Sequence, residues 1–246
     1  MVFSLCQILV LCFLVAFIFP NCSKSDEVSL WGECYNVHST TKLNVSGSGL
    51  TGEIPSQIGS LVNLYTIDLS NNRLTGEIPK EIGQLHRLNF LYLQDNQLTG
   101  EIPKEVGNLT NLVRLFLSSN RLTGEIPKEM GDLINLRYLY LFKNNFSGKI
   151  PKQIGSLVNL FKLDLSSNRL IGEIPKEIGQ LRKLNSLRLF DNQLTGNIPS
   201  SIGNLFELEF LFLQNNQLTG VAPSEIHSLG KIKYLDLGGN MLEQNK

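Results

Sequence analysis

Leucine or isoleucine stands at positions 43, 67, 91, 115, 139, 163, 187, 211 and 235, each 24 residues after the last. Around each anchor apolar and polar positions alternate. In Leu91-Tyr92-Leu93 two apolar side chains flank one that points the other way, the period of a strand with one buried face. Leu88 leads into that strand, and Leu98, Ile102, Val106, Leu109 and Leu112 add further inward positions. Gly100 allows a tight bend. Pro103 locks its φ and offers no donor, so the strand cannot run on. The stretch Lys104 to Leu109 is too short for a full α-helix and predicts a short 3₁₀ turn. Each unit is therefore one coil, and a fixed period of this length is the signature of a solenoid.

Two polar columns share the period. Asparagine follows each anchor by five residues at Asn72, Asn96, Asn120, Asn144, Asn168, Asn192, Asn216 and Asn240, with Ser48 in the first unit. An amide both donates and accepts, so this column is expected to form an internal ladder that satisfies backbone groups of neighbouring coils. Proline recurs at 55, 79, 103, 127, 151, 175, 199 and 223, which places eight of the nine prolines at one point of the repeat. The ninth is Pro20, so no proline-rich linker divides the chain.

The run Leu88-N-F-Leu91-Y-Leu93-Q-D-Asn96-Q-Leu98 resembles the leucine-rich repeat pattern L-x-x-L-x-L-x-x-N-x-L. The added L-T-G-E-I-P, as at Leu74 to Pro79, is similar to the plant-type subclass of receptor-like ectodomains and secreted inhibitors of wall-degrading enzymes. The resemblance covers about residues 40 to 246. It implies an α/β repeat fold, a leucine-rich repeat solenoid or horseshoe, with a concave parallel sheet and short 3₁₀ or irregular convex segments. The expected organisation is a leader at 1–22, an N-terminal cap segment at 23–42 and about nine repeats at 43–246, the last incomplete.

Charge changes the picture by exclusion. The chain has 22 basic and 22 acidic residues, and lacks the basic footprint that nucleic-acid binding requires. Residues 1–20 are apolar and carry no charged side chain. They read as a secretory signal or as an uncleaved anchor about 20 residues long. No later segment is apolar for long enough to span a bilayer, so a membrane is reached only through the N-terminal segment or a lipid. Cys6 and Cys12 lie in the leader. Cys22 has three readings: a disulfide with Cys34, a lipidated N-terminus as in bacterial lipoproteins, or no role after cleavage. Trp31-Gly32-Glu33-Cys34 resembles the cap of plant-type repeats, which implies that Trp31 covers the first coil. At the other end the ninth unit lacks a capping segment, which leaves end-to-end association open.

Candidate chemistry is sparse. His38, His86 and His227 fall at different places in the repeat, and no nucleophile elbow, H-E-x-x-H or metal-spaced cysteine set occurs. No cofactor or metal is expected. Sequons at Asn21, Asn44, Asn108 and Asn145 matter only in a glycosylating host.

The outward columns of the predicted strands carry the functional signal. In the eight units from Thr66 onward, ten of 24 such positions are aromatic. Phe90, Tyr92, Phe116, Tyr138, Tyr140 and Phe142 form one expected patch. Phe190, Phe210, Phe212 and Tyr234 form a second, with Arg188 beside it. Lys162, Asp164, Ser166, Ser186 and Arg188 make a polar gap between them. Aromatics also favour strands for packing alone. Exposed apolar patches, however, mark interaction sites, and Tyr, Phe and Arg are favoured anchors. The expected function is a non-catalytic, extracytoplasmic module that binds a protein or peptide on its concave face. The alternatives are an inhibitor of a secreted hydrolase, or a structural or adhesive surface protein. The near-identity of GEIPKEIGQL at 76–85 and 172–181 fits recent duplication and thus the last of these.

Overall fold

A computed structural model describes residue 22 and residues 24–243. The expected signal or anchor therefore lies outside the described residues, Cys22 excepted. Nine three-residue strands, from Lys42–Asn44 to Tyr234–Asp236, form one parallel sheet in sequence order. Partners lie one repeat apart: Leu91 pairs with Leu115, and Leu115 with Leu139. Every column of the sequence thereby becomes a row across the sheet. On the opposite side run short 3₁₀ segments such as Lys104–Asn108 and Lys176–Gln180. Pro103 caps the first of these with φ −63°, and its carbonyl accepts the Val106 N–H at 3.0 Å. A proline fits there because an N–H at that point would have no helical acceptor.

The inward rows make one apolar core running from Leu30 to Leu229. Leu91, Leu93, Leu98, Leu109 and Leu112 are fully buried, and Phe146 takes a leucine place in the same core without exposure. Each coil is too thin to bury this surface alone, so the apolar gain comes from stacking on its neighbours. Around the last strand the anchors open up: Leu211 and Leu213 are fully buried, whereas Leu235 is 41% exposed.

The asparagine column lies just behind the sheet and joins coils in pairs. Asn120 Oδ1 accepts the Leu98 N–H at 3.0 Å, and its Nδ2 donates to the Leu93 and Leu117 carbonyls at 2.9 and 3.1 Å. Asn72, Asn96, Asn144, Asn168, Asn192, Asn216 and Asn240 repeat this pattern. The turn that presents the amide is unusual for the residues it uses. The residue before the asparagine has a left-handed φ of 52° to 57° at Asn71, Asp95, Ser119, Lys143, Ser167, Asp191 and Asn215. Asn and Asp tolerate that region better than Ser or Lys do. At Lys143 and Ser119 the ladder holds the turn against the residue's own preference.

A second stitch runs along the flank, one that the sequence analysis did not single out. Asn63, Asn111, Asn135 and Asn159 each donate to a carbonyl of the preceding coil at 2.8–3.0 Å. Where the column changes residue, a charged side chain substitutes. Arg87 and Lys183 reach the previous asparagine Oδ1 at 2.7 Å, and Lys231 reaches the Glu207 carboxylate at 2.6 Å.

At the N-terminal end an antiparallel hairpin, Glu27–Leu30 with Glu33–Asn36, packs on the first coil. Trp31 and Gly32 turn it with φ of 49° and 88°. Trp31 is half-buried against the core, and its Nε1–H donates to the Glu53 carbonyl at 3.0 Å. Cys22 is disulfide-bonded to Cys34. This bond engages the Cys22 sulfur, as in the first of its three readings.

The rear faces of the coils meet with little room. A Cβ added at Gly107 would sit 2.7 Å from the Glu129 carbonyl oxygen and 2.8 Å from the Glu129 Cβ in the next coil. His227 occupies the equivalent column in the Ser224–Ser228 segment, is exposed, and has no following 3₁₀ segment against it among the described residues. Gly107→Ala should therefore cost about 1–3 kcal/mol by forcing two coils apart, read as a lower urea midpoint. Asn120→Leu keeps the size but leaves the Leu98 N–H and two carbonyls without partners, a loss of about 1–3 kcal/mol. A midpoint equal to the parent's would show that the amide ladder is dispensable at that coil.

Candidate concave-face binding site

The sheet's outward rows carry the side chains that the columns predict, and the rings in them touch. A path of ring contacts crosses four consecutive coils. It runs from Tyr65 to Phe90 (centroids 5.2 Å), Tyr92 (6.3 Å), Phe116 (5.1 Å), Tyr140 (4.4 Å) and Phe142 (6.2 Å). Phe116 and Tyr140 are direct strand partners in the parallel register and stack nearly parallel at 20°, whereas the partners Tyr92 and Phe116 meet edge-on at 67°. Tyr65 is exposed, and the other five rings are partly buried and keep some surface open to solvent. Offset and edge-to-face ring pairs add about 0.5–1.5 kcal/mol beyond the area they bury. The surface is thus rigid before anything docks on it.

Arg114 is built into this surface. Its guanidinium lies 5.4 Å from the Phe90 ring centre and 5.2 Å from that of Tyr138, and it donates to the Tyr92 hydroxyl at 3.2 Å. Tyr138 in turn meets Phe161 edge-on at 5.9 Å. The aromatic positions of the outward columns include neither Tyr65 and Phe161 nor Arg114. Tyr65 and Phe161 precede the columns treated as outward. Arg114 lies in the first outward column but is not aromatic. The signal was present in the register, since Arg114 is the 24-residue equivalent of Phe90 and Tyr138.

The second group is smaller. Phe210 and Tyr234 stack at 5.4 Å and 8°, and Arg188 lies over Phe212 at 5.4 Å. Phe190 stands apart from that pair, on the wall of a depression.

That depression coincides with the polar gap. It encloses about 530 Å³ and is lined by Tyr140, Phe142, Lys162, Asp164, Ser166, Ser186, Arg188 and Phe190, with Lys143 and Asp191 at its edge. Ser166 and Ser186 are buried in its lining. Asp164 is 7% exposed. Its Oδ1 accepts the Ser166 hydroxyl and N–H at 2.5 and 3.1 Å, and Arg188 lies 3.8 Å from Oδ2. Burial pushes its carboxyl above the ordinary carboxylate range, against the lowering effect of the Ser166 bonds and of Arg188. Burial, and then the Asp164 charge, also raises the Tyr140 hydroxyl.

Other titratable groups do not converge. His38, His86 and His227 are exposed and lie in separate coils. Cys22, Glu27 and Cys34 are close together, but the two sulfurs are bonded to each other. No helix among the described residues is long and apolar enough to cross a membrane.

The repeat and its geometry agree with comparisons to known proteins. The chain belongs to the leucine-rich repeat family: the model of the leucine-rich repeat region matches residues 19–133 and 117–239. A crystal structure of a TDR receptor is 41% identical over 82% of this chain, with a TM-score of 0.80. The Arabidopsis receptor kinase HAESA, solved with the peptide hormone IDA and the co-receptor SERK1, is 42% identical over 79% of the chain, with a TM-score of 0.77. A plant ice-binding protein is 30% identical over 79%, with a TM-score of 0.63. The chain spans only 35% and 32% of the two receptor chains, and 70% of the ice-binding protein. No curated protein matches.

Asp164 makes the electrostatics of the depression measurable. Its carboxyl sits above the ordinary range in the folded protein, so ionising it costs the fold. Stability should fall as pH rises from the ordinary carboxylate value through the raised folded value, and then level off. Asp164→Asn keeps an oxygen for Ser166 and removes this cost. The variant is expected to melt at or above the parent at neutral pH, with the difference closing near pH 3, about one unit below an ordinary aspartate. A lower melting temperature at neutral pH would mean that the attraction to Arg188 outweighs burial.

Proposed function

We propose that this chain is an extracytoplasmic, non-catalytic recognition module that binds an extended peptide or protein segment along its concave face. The observation that carries this reading is the ring path from Tyr65 to Phe142. It is half exposed and runs across the strands rather than along one of them. Mutual packing alone would need only cross-strand pairs buried under other layers, and nothing among the described residues covers these rings. Preformed aromatic surface binds at low entropic cost, because the side chains are already ordered. The similarity to HAESA, solved with a peptide hormone, supports a peptide as the occupant. An oxidising compartment is supported by the Cys22–Cys34 bond.

The similarity to a plant ice-binding protein prompts a second reading, in which a regular hydroxyl row on the flank of the coils is the working surface. Thr75, Thr99, Thr123, Ser147, Thr195 and Thr219 form a hydroxyl column there. Ile171 interrupts it, and Glu77, Glu101 and Glu125 stand two residues further on, so the flank is charged and uneven. The concave reading is the better supported.

Peptides selected from a displayed random library on the immobilised protein provide the test. Replacing Tyr92, Phe116 and Tyr140 together by Ala should abolish their binding, since aromatic anchors cost about 2 kcal/mol or more each on truncation. The melting temperature of the triple variant identifies any loss of fold. Lys80→Ser with Lys104→Ser, on the opposite side of the coils, should leave binding intact. Unchanged affinity in the aromatic variant would mean that the rings serve packing only.

A further inference from the structure

The break in the aromatic row is a built recess, and its lining restricts what can enter. Along the third outward column the residues run Ser118, Phe142, Ser166, Phe190. Ser166 is 2% exposed at the floor, with the two phenylalanines on the coils either side of its own, each two residues past its strand. Backbone bonds from the Lys143 N–H to the Ser166 carbonyl and from the Ser167 N–H to the Phe190 carbonyl carry the strand spacing of about 4.8 Å on to these residues, so the two ring-bearing segments are about 9.6 Å apart. That is about twice the separation of a stacked ring pair. One flat ring placed over Ser166 would meet Phe142 on one side and Phe190 on the other.

The charges around this slot are unequal in availability. Both carboxylates already have donors from the protein. Asp164 holds the Ser166 hydroxyl and N–H and faces Arg188, and Asp191 accepts the Asn215 amide at 2.7 Å. Lys143 and Lys162, by contrast, have no carboxylate within ion-pair distance among the described residues. Arg188 is held over Phe212, and its side chain remains 44% exposed. Three cations with spare donors thus line the recess that holds this slot, and an incoming carboxylate finds charge-assisted hydrogen bonds there.

We propose that this recess is the specificity pocket of the concave face, and that it takes one aromatic side chain of an extended acidic peptide. The ring lies between Phe142 and Phe190, and an adjacent carboxylate meets Lys143, Lys162 and Arg188. The proposal rests on the peptide-binding reading and adds the chemistry of the ligand to it. The aromatic path from Tyr65 to Phe142 then supplies the remaining contact length, and the recess sets the register of the bound chain.

The test uses the intact protein and a positional-scanning library of acetylated hexapeptides, in amidated and free-acid forms. Those two forms separate a side-chain carboxylate from a terminal one. The bound pool should be enriched in Phe, Tyr or Trp next to an acid. Ser166→Phe fills the slot with the residue that its column already carries at 142 and 190. It should cut affinity for the ring-bearing peptides about 30-fold. Phe142→Ala with Phe190→Ala removes the walls and should do the same if Ser166→Phe fails to fold. Lys143→Glu with Lys162→Glu should reverse the preference for acidic peptides. If peptides bind in a manner dependent on Tyr92, Phe116 and Tyr140, but no ring–acid pair is enriched or the wall variants bind as the parent does, the pocket proposal is overturned and the peptide reading survives. Enrichment of basic peptides also overturns it. If no library member binds the folded protein, both readings fall.

Discussion

The structure depends on one joint, the asparagine amide that ties each coil to the one before it. A single side chain accepts from the preceding coil's backbone and donates to carbonyls of both coils, as Asn120 does between Leu98, Leu93 and Leu117. Backbone groups at this turn are shut away from water, and leaving them unpaired costs more than any one apolar contact there contributes. The joint admits only one stacking register. With that register set, leucine falls on leucine, the core closes, and the left-handed residue before each asparagine is held whatever its identity.

Fixing the register also fixes the working face. A column 24 residues apart in sequence becomes neighbouring side chains on adjacent strands, so Phe116 stacks on Tyr140 and Arg114 lies between Phe90 and Tyr138. The scaffold contributes precision at little conformational cost, since three-residue strands on a packed core leave these side chains few alternatives. The same device builds the recess. Ser166 lowers the floor between Phe142 and Phe190, Ser186 does the same between Lys162 and Phe210, and the buried carboxylate of Asp164 lies beside Arg188. Relief on this face is therefore written by side-chain size at equivalent positions.

The outcome for individual residues shows why some features were legible and others were not. The core asparagines and the proline-capped 3₁₀ segments were readable because every unit repeats them. The flank ladder of Asn63, Asn111, Asn135 and Asn159 was readable in principle but is broken by Arg87 and Lys183, so its column looks merely polar. The ring contacts of Tyr65 and Phe161 were not readable, because both precede the outward columns and reach the face by leaning against Phe90 and Tyr138. For Cys22 the pairing partner became visible only in three dimensions, where the hairpin that carries Cys34 meets it.

By itself the chain's period determined the coil, the parallel sheet, the inward leucines and the list of outward aromatics, because each follows from local alternation repeated at a constant interval. Tertiary structure alone decided which of those aromatics touch, where the surface dips, and how a buried carboxylate and three cations divide their partners. The reason is that ring orientation, cavity shape and desolvation depend on the simultaneous positions of side chains from several coils. A one-dimensional pattern records which residues share a row, but not the tilt of a ring or the depth left by a serine between two phenylalanines.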